Sequence, residues 1–231
     1  MAKFAVIGLG KFGMTVATTL YKHGAEVIAI DNNQNLVDEA QSLVTSAYKV
    51  DCTDEIAVKQ LQLHEMDAVI LAIGQNIEVS ILASAILKKI GVAYIHAKAD
   101  NKLHGKILEI IGVQNIVFPE EQIGMQLANT LLSRNIEKYV DLSTGHSIVE
   151  LIAPKDYVGK SLQELALPSE KHINVIAIKS ERMIVTEEGN NSVERRINDL
   201  PGANDIIQNG DVLILLGPKN RINELIIETS K

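Results

Sequence analysis

The sequence predicts an α/β protein: a doubly wound parallel sheet, then a smaller α+β C-terminal domain. Three features carry this reading. Through residue 118, short Ile- and Val-rich runs alternate with helical patterns, and several of the runs end at Gly or Asp. A glycine-rich segment sits where the first run meets the first helix. After Tyr139 the rhythm changes to alternating apolar and polar residues separated by turn signals.

The elements follow in order. Phe4–Ile7 is a strand that ends at Gly8, and residues 12–23 read as a helix closing at Gly24. Val27–Ile30 is a second strand, followed by Asp31 and a helix over 34–44. Ala47–Val50 is a weaker third strand, followed by a helix over 54–63. Ala68–Ile73, the strongest strand, precedes a helix over 76–90, and Val92–Ala97 precedes another over 101–111. Asn115–Phe118 is a sixth strand. Strands alternating with helices through short connections give a doubly wound, Rossmann-like sheet. Pro119 with Glu120 and Glu121 suits a helix start, and that helix is expected to run to about Glu137. Ser147–Ile152, Ile173–Ile178 and Val212–Leu216 read as strands of the second domain, and the polar stretch 187–205 as a loop. The expected domains are therefore residues 1–139 and 140–231.

Composition narrows the function. Of 231 residues, 46% are hydrophobic and 22% charged. The longest apolar run, Ala68–Ile73, is far short of the roughly 20 residues that span a bilayer. With three Phe, five Tyr and no Trp, the core must be built from Ile, Val, Leu and Ala. The single cysteine, Cys52, excludes an intramolecular disulfide and a multi-cysteine zinc site. Met1–Phe4 leads straight into a strand pattern with no secretory leader, which makes a cytosolic location the expectation. A net charge of −7 argues against nucleic-acid binding by bulk electrostatics.

Gly8-Leu9-Gly10-Lys11-Phe12-Gly13 is a G-x-G-x-x-G motif in the strand-to-helix setting it requires. Gly8 permits the tight turn, Gly10 lets backbone approach a phosphate, and Gly13 lets helix pack on strand. The helix N-terminus then attracts an anion. Asp31, 21 residues after Gly10, stands where a carboxylate accepts from ribose hydroxyls and disfavours NADP. Asn32 and Asn33 either touch the sugar or base, or form the turn and cap of the next helix. Lys11 opposes the helix dipole, so it either reaches a terminal phosphate or points into solvent. Asp51 and Cys52 lie beside the expected adenine pocket, where Asp51 accepts from the base or Thr53 simply caps a helix. Ile73, Gly74 and Gln75 follow the fourth strand, beside the switch point.

A catalytic centre is not legible. His146 and His172 read as surface residues in turns, and Cys52 has no evident base. Gly159-Lys160-Ser161 lacks the rest of a P-loop. A nucleotide site without acid–base chemistry points to sensing.

The run Phe4–Gly13, with Ile30-Asp31, Ala72-Ile73-Gly74, Lys98-Ala99, Ile111-Gly112-Val113 and Phe118-Pro119-Glu120, resembles the RCK (KTN) regulatory subunits of Ktr and Trk bacterial potassium uptake systems. Ser147–Leu151 and Ile206–Gly217 are similar to their C-terminal domain. One copy of each domain fits the KtrA-like form. The resemblance implies homodimers that assemble into a homo-octameric ring beneath a KtrB/TrkH-like membrane transporter. The protein would then be cytoplasmic and peripheral to the inner face of the membrane. It implies ATP and ADP as ligands that change ring shape, with NAD or NADH as the alternative. Lys11 corresponds to a phosphate-reaching arginine, Lys98 to a basic residue near the phosphates, and His104 to a histidine near the nucleotide. Glu120 matches a glutamate that helps hold Mg²⁺ or Ca²⁺, hard cations suited to carboxylate oxygen. Cyclic di-AMP in the second domain is implied near Leu162–Lys179, with Ile173, Asn174 and Pro201 as candidates. Pro168 and a long 187–200 segment depart from that pattern. The alternatives are a small NAD-dependent oxidoreductase and an NADH-sensing regulator.

Overall fold

The computed structural model describes residues 1–132, 135–142, 144–185 and 191–229. The chain forms two compact units, Met1–Glu120 and Glu121–Lys231.

The first unit holds six parallel strands: β1 (Lys3–Ile7), β2 (Glu26–Asp31), β3 (Ser46–Lys49), β4 (Ala68–Leu71), β5 (Ile95–Lys98) and β6 (Asn115–Val117). Their order is β3-β2-β1-β4-β5-β6. Ile7 pairs with Ile30 on one side and Leu71 on the other, so three carboxyl ends meet where the strand order reverses. Ala5 and Ile7 bury into one core while Val6 buries into another on the opposite face. Apolar side chains on successive residues of one strand require cover on both faces, which a doubly wound arrangement gives.

The helices are α1 (Lys11–Lys22), α2 (Gln34–Ala40), α3 (Glu55–Gln60), α4 (Ile77–Lys89), α5 (Lys102–Ile111) and α6 (Pro119–Leu132). Asn33, Asp54, Asn76 and Asn101 cap α2 to α5 with their side-chain oxygens. Asp54, not Thr53, caps α3, accepting from the amides of Ile56 and Ala57 at 2.9 and 3.2 Å.

The second unit is an antiparallel sheet of β7 (Ile136–Asp141), β8 (His146–Ile152), β9 (Asn174–Val185), β10 (Asn191–Asn198) and β11 (Val212–Pro218), ordered β10-β9-β11-β8-β7. The helices α7 (Leu162–Leu165), α8 (Leu167–Lys171) and α9 (Lys219–Thr229) complete it. Val149, Leu151, Leu213 and Leu215 are fully buried with Ile222 and Leu225 of α9.

The structure corrects several expectations. The helix from Pro119 ends at Leu132, and Ile136–Asp141 is a strand paired with β8. Ile136 and Tyr139 are buried in the second core, so the expected boundary after residue 139 falls inside β7. Part of the expected loop at 187–205 is β10, with Asn191 opposite Val185 and Asn198 opposite Ile178. Residues 187–190 of that stretch lie outside the described residues. His146 begins β8 rather than lying in a turn. Among the described residues, no helix is long and apolar enough to cross a membrane.

Candidate functional site

A cavity of about 760 Å³ opens at the carboxyl edge of the first sheet. It gathers residues from the carboxyl ends of all six strands or the segments that follow them. Gly8, Gly10, Lys11 and Phe12 come from the β1–α1 turn, and Asp31 and Asn32 follow β2. Asp51, Cys52 and Thr53 follow β3, and Ile73, Gly74, Gln75 and Asn76 follow β4. Lys98 ends β5, and Glu120 lies in the first turn of α6.

The three motif glycines have separate causes. Gly8 has φ +92°, and a Cβ there would stand 3.0 Å from Ile73 Cγ1. A Cβ on Gly13 would lie 1.8 Å from the Gly8 carbonyl oxygen, so glycine there is set by helix packing on the turn. Gly10 is different: its φ is −62°, and no protein atom lies within 4 Å of a built Cβ. Within the protein, glycine serves there only as the N-cap of α1. It begins a helix of 12 residues with no acidic side chain in its first turn, an arrangement suited to an anion.

Asp31 is fixed by two amides. Leu9 N–H donates to Oδ2 at 2.6 Å and Asn33 N–H donates to Oδ1 at 2.8 Å. Each oxygen keeps a lone pair for a ligand hydroxyl. Asn32 lines the cavity, whereas Asn33 faces its own helix and accepts from Asn35 N–H at 3.0 Å. Asp51 accepts from both the hydroxyl and the amide of Thr53, which hold its carboxyl below the usual range. Burial pushes the Cys52 thiol up to about 11, with the charges of Asp51 and Asp31 adding to the shift. A thiol so disposed is protonated at neutral pH and a poor nucleophile.

Lys98 is the inner cation. Its side chain is 15% exposed and ion-paired with Glu120, and its ammonium stands 5.9 Å from the Phe12 ring centroid. The hydrogen bond from Lys98 is the main reason the Glu120 carboxyl sits below its usual range. Lys11 is exposed at the rim. Among the described residues, no three metal-ligating side chains converge. Glu120 would therefore be a lone protein ligand, with the remaining oxygens coming from phosphate, water or a second copy.

His104 is placed elsewhere. It is buried, and its Nδ1 accepts from Asp100 N–H at 3.2 Å while Nε2 meets Ser80 Oγ at 3.2 Å. It ties α5 to α4 and does not line the cavity. Burial holds the ring below the ordinary histidine range, and the charge of Asp100 opposes that shift. The unfolded chain then binds more protons below about pH 6.5, so this contribution to stability falls as pH drops. Urea unfolding between pH 7.5 and 5.5 should show a shallower pH slope for His104→Gln than for the wild type. Parallel slopes would remove His104 as the source.

In the second unit, Asn174 and Pro201 line a separate cavity of about 390 Å³ together with Leu162, Ala166 and Pro168. Ile173 does not line it, being fully buried in the core. Ile7, Val50, Thr53, Ala72, Asn76 and Val79 line the first cavity beyond the residues expected from sequence. Asn76 was detectable as the asparagine preceding a helical run.

Comparison with known proteins gives two domain matches: the TrkA-N domain over residues 4–119 and the TrkA-C domain over residues 146–226. The Ktr system potassium uptake protein C of Bacillus subtilis is 37% identical over 215 residues, 93% of this chain and 91% of that one. The Ktr system potassium uptake protein A of the same organism is 35% identical, over 95% of this chain and 93% of its own. The GsuK RCK domain shares the fold, with TM-score 0.65 and 16% identity over all of this chain and 48% of that one. A structure described as the GsuK channel bound to NAD aligns with TM-score 0.65 at 15% identity, over all of this chain and 40% of its own.

Proposed function

This chain belongs to the RCK family of Ktr and Trk potassium-uptake regulatory subunits, and on that premise we propose that it is a nucleotide-sensing subunit that gates a membrane potassium transporter. The observation that carries the reading is Gly10: a glycine at a helix start whose Cβ would meet no protein atom, lining the same cavity as Asp31 and Lys98. ATP or ADP occupies the cavity, with NAD or NADH as the alternative ligand. The ribose hydroxyls meet Asp31, the base lies toward Asp51 and Cys52, and the phosphates lie at the α1 amides with Lys98 and Lys11. Glu120 can hold Mg²⁺ or Ca²⁺ beside those phosphates.

The subunit is not an enzyme. The inert Cys52 thiol and the inward-turned His104 support that reading. Homodimers assemble into a homo-octameric ring on the cytoplasmic face of a KtrB/TrkH-like transporter. Leu103 and Ile110 of α5 are 72% and 76% exposed, apolar surface suited to contact with further copies. The first domain senses the nucleotide, and the second serves dimerisation or cyclic di-AMP binding around Asn174 and Pro201.

Gating requires that ATP and ADP bind one ring shape with different preference. The test is potassium flux in proteoliposomes holding the transporter and this subunit. ATP and ADP should give different flux, and Lys11→Ala should reduce the difference by about tenfold in ATP sensitivity. Identical flux with either nucleotide would overturn the gating reading.

A further inference from the structure

Three carboxylates line the nucleotide cavity, and they are held differently. Asp31 is fastened by two backbone amides and Asp51 by the amide and hydroxyl of Thr53. Glu120 is bonded to the Lys98 ammonium instead.

The two ends of this pair differ in freedom. Lys98 is 15% exposed; its stem packs where a Cβ on Gly74 would stand, 2.9 Å from Cε, and its head lies over Phe12. Glu120 is 71% exposed on the first turn of α6. A largely buried ammonium needs an anion, and the solvent-exposed partner is the carboxylate. The α1 N-terminus that attracts phosphate opens into the same cavity.

We propose that Glu120 is a specificity-determining residue of the phosphate end, its carboxylate occupying the place on Lys98 that a ligand phosphate takes. The proposal rests on the nucleotide reading of the cavity. A phosphate must displace the carboxylate and then tolerate its negative charge nearby. Ligands that arrive with a divalent cation able to draw Glu120 away are favoured over those that bring none. The ion pair thereby favours cation-bound ADP or ATP over NAD.

The test is calorimetric titration of ADP into the full-length protein in EDTA, where no cation competes. Glu120→Gln keeps the shape but weakens the hold on Lys98, and should tighten ADP about tenfold. In the Lys98→Met background the same substitution should change affinity by less than about twofold, since no ammonium remains to be released. Glu121→Gln serves as the control for general charge removal and should change affinity little. Unaltered or weaker binding by Glu120→Gln overturns the proposal. Equal tightening with and without Lys98 also overturns it, by showing simple repulsion. If the wild type and Glu120→Gln bind neither ADP nor NAD at millimolar ligand, the nucleotide reading itself fails and the proposal with it.

Discussion

Gly10→Ala is expected to weaken nucleotide binding about 100-fold while leaving the folded protein almost as stable as the wild type. The backbone at Gly10 has φ −62°, which alanine adopts without strain, and a Cβ there meets no protein atom within 4 Å. Alanine is a poorer helix cap than glycine, at a cost of up to about 1 kcal/mol. It also restricts the unfolded chain, which offsets roughly 0.4–1 kcal/mol of that. The net change in stability should stay within about 1 kcal/mol. The ligand sees something else: a methyl group standing where backbone must approach phosphate. Loss of affinity should reach about 100-fold, or near 2.7 kcal/mol. Circular dichroism melts and calorimetric titration of the same sample check both halves. Unchanged affinity would mean that the cavity does not hold phosphate at this turn.

Gly13→Ala should do the reverse, damaging the fold first. Within a helix the change from glycine would gain about 1 kcal/mol from propensity alone. That gain is outweighed, because the new Cβ would lie 1.8 Å from the Gly8 carbonyl oxygen. Backbone must shift, either lifting α1 from β1 or opening the turn at Gly8. Overpacking of this severity should cost about 3 kcal/mol or more. A melting temperature within a degree or two of the wild type would show that the turn yields easily. The two alanine variants together separate what the motif does for the ligand from what it does for the fold.

The difference between these glycines was legible in the sequence, because the motif is local and its neighbours lie within a few residues. The parallel sheet was legible for a similar reason: two-sided burial writes continuous Ile and Val runs into each strand. Other features depend on contacts distant in sequence. The helix from Pro119 was expected to run to about Glu137, yet Ile136 and Tyr139 fit the core of the second sheet, so the segment pairs with β8 as β7. β10 carries Arg195 and Arg196 on an edge of the sheet, where exposure removes the apolar alternation that marks a strand. The orientation of His104 was not readable from its helix, since Ser80 comes from another. Asn33 could have served ligand or cap equally, and its bond to the amide of Asn35 decides for the cap. The Lys98–Glu120 pair joins the end of β5 to the start of α6, and no spacing rule foretells it.

The central claim is that this cavity senses adenine nucleotides. Its most direct test is a titration of the nucleotide-stripped protein with ATP, ADP, NADH and NAD. It is run with and without Mg²⁺, reading heat of binding and particle size together. The account predicts tight binding of both ATP and ADP, different particle shapes for the two, and loss of both signals in Gly10→Ala. Binding of NAD or NADH only, by a particle whose size never changes, would contradict it.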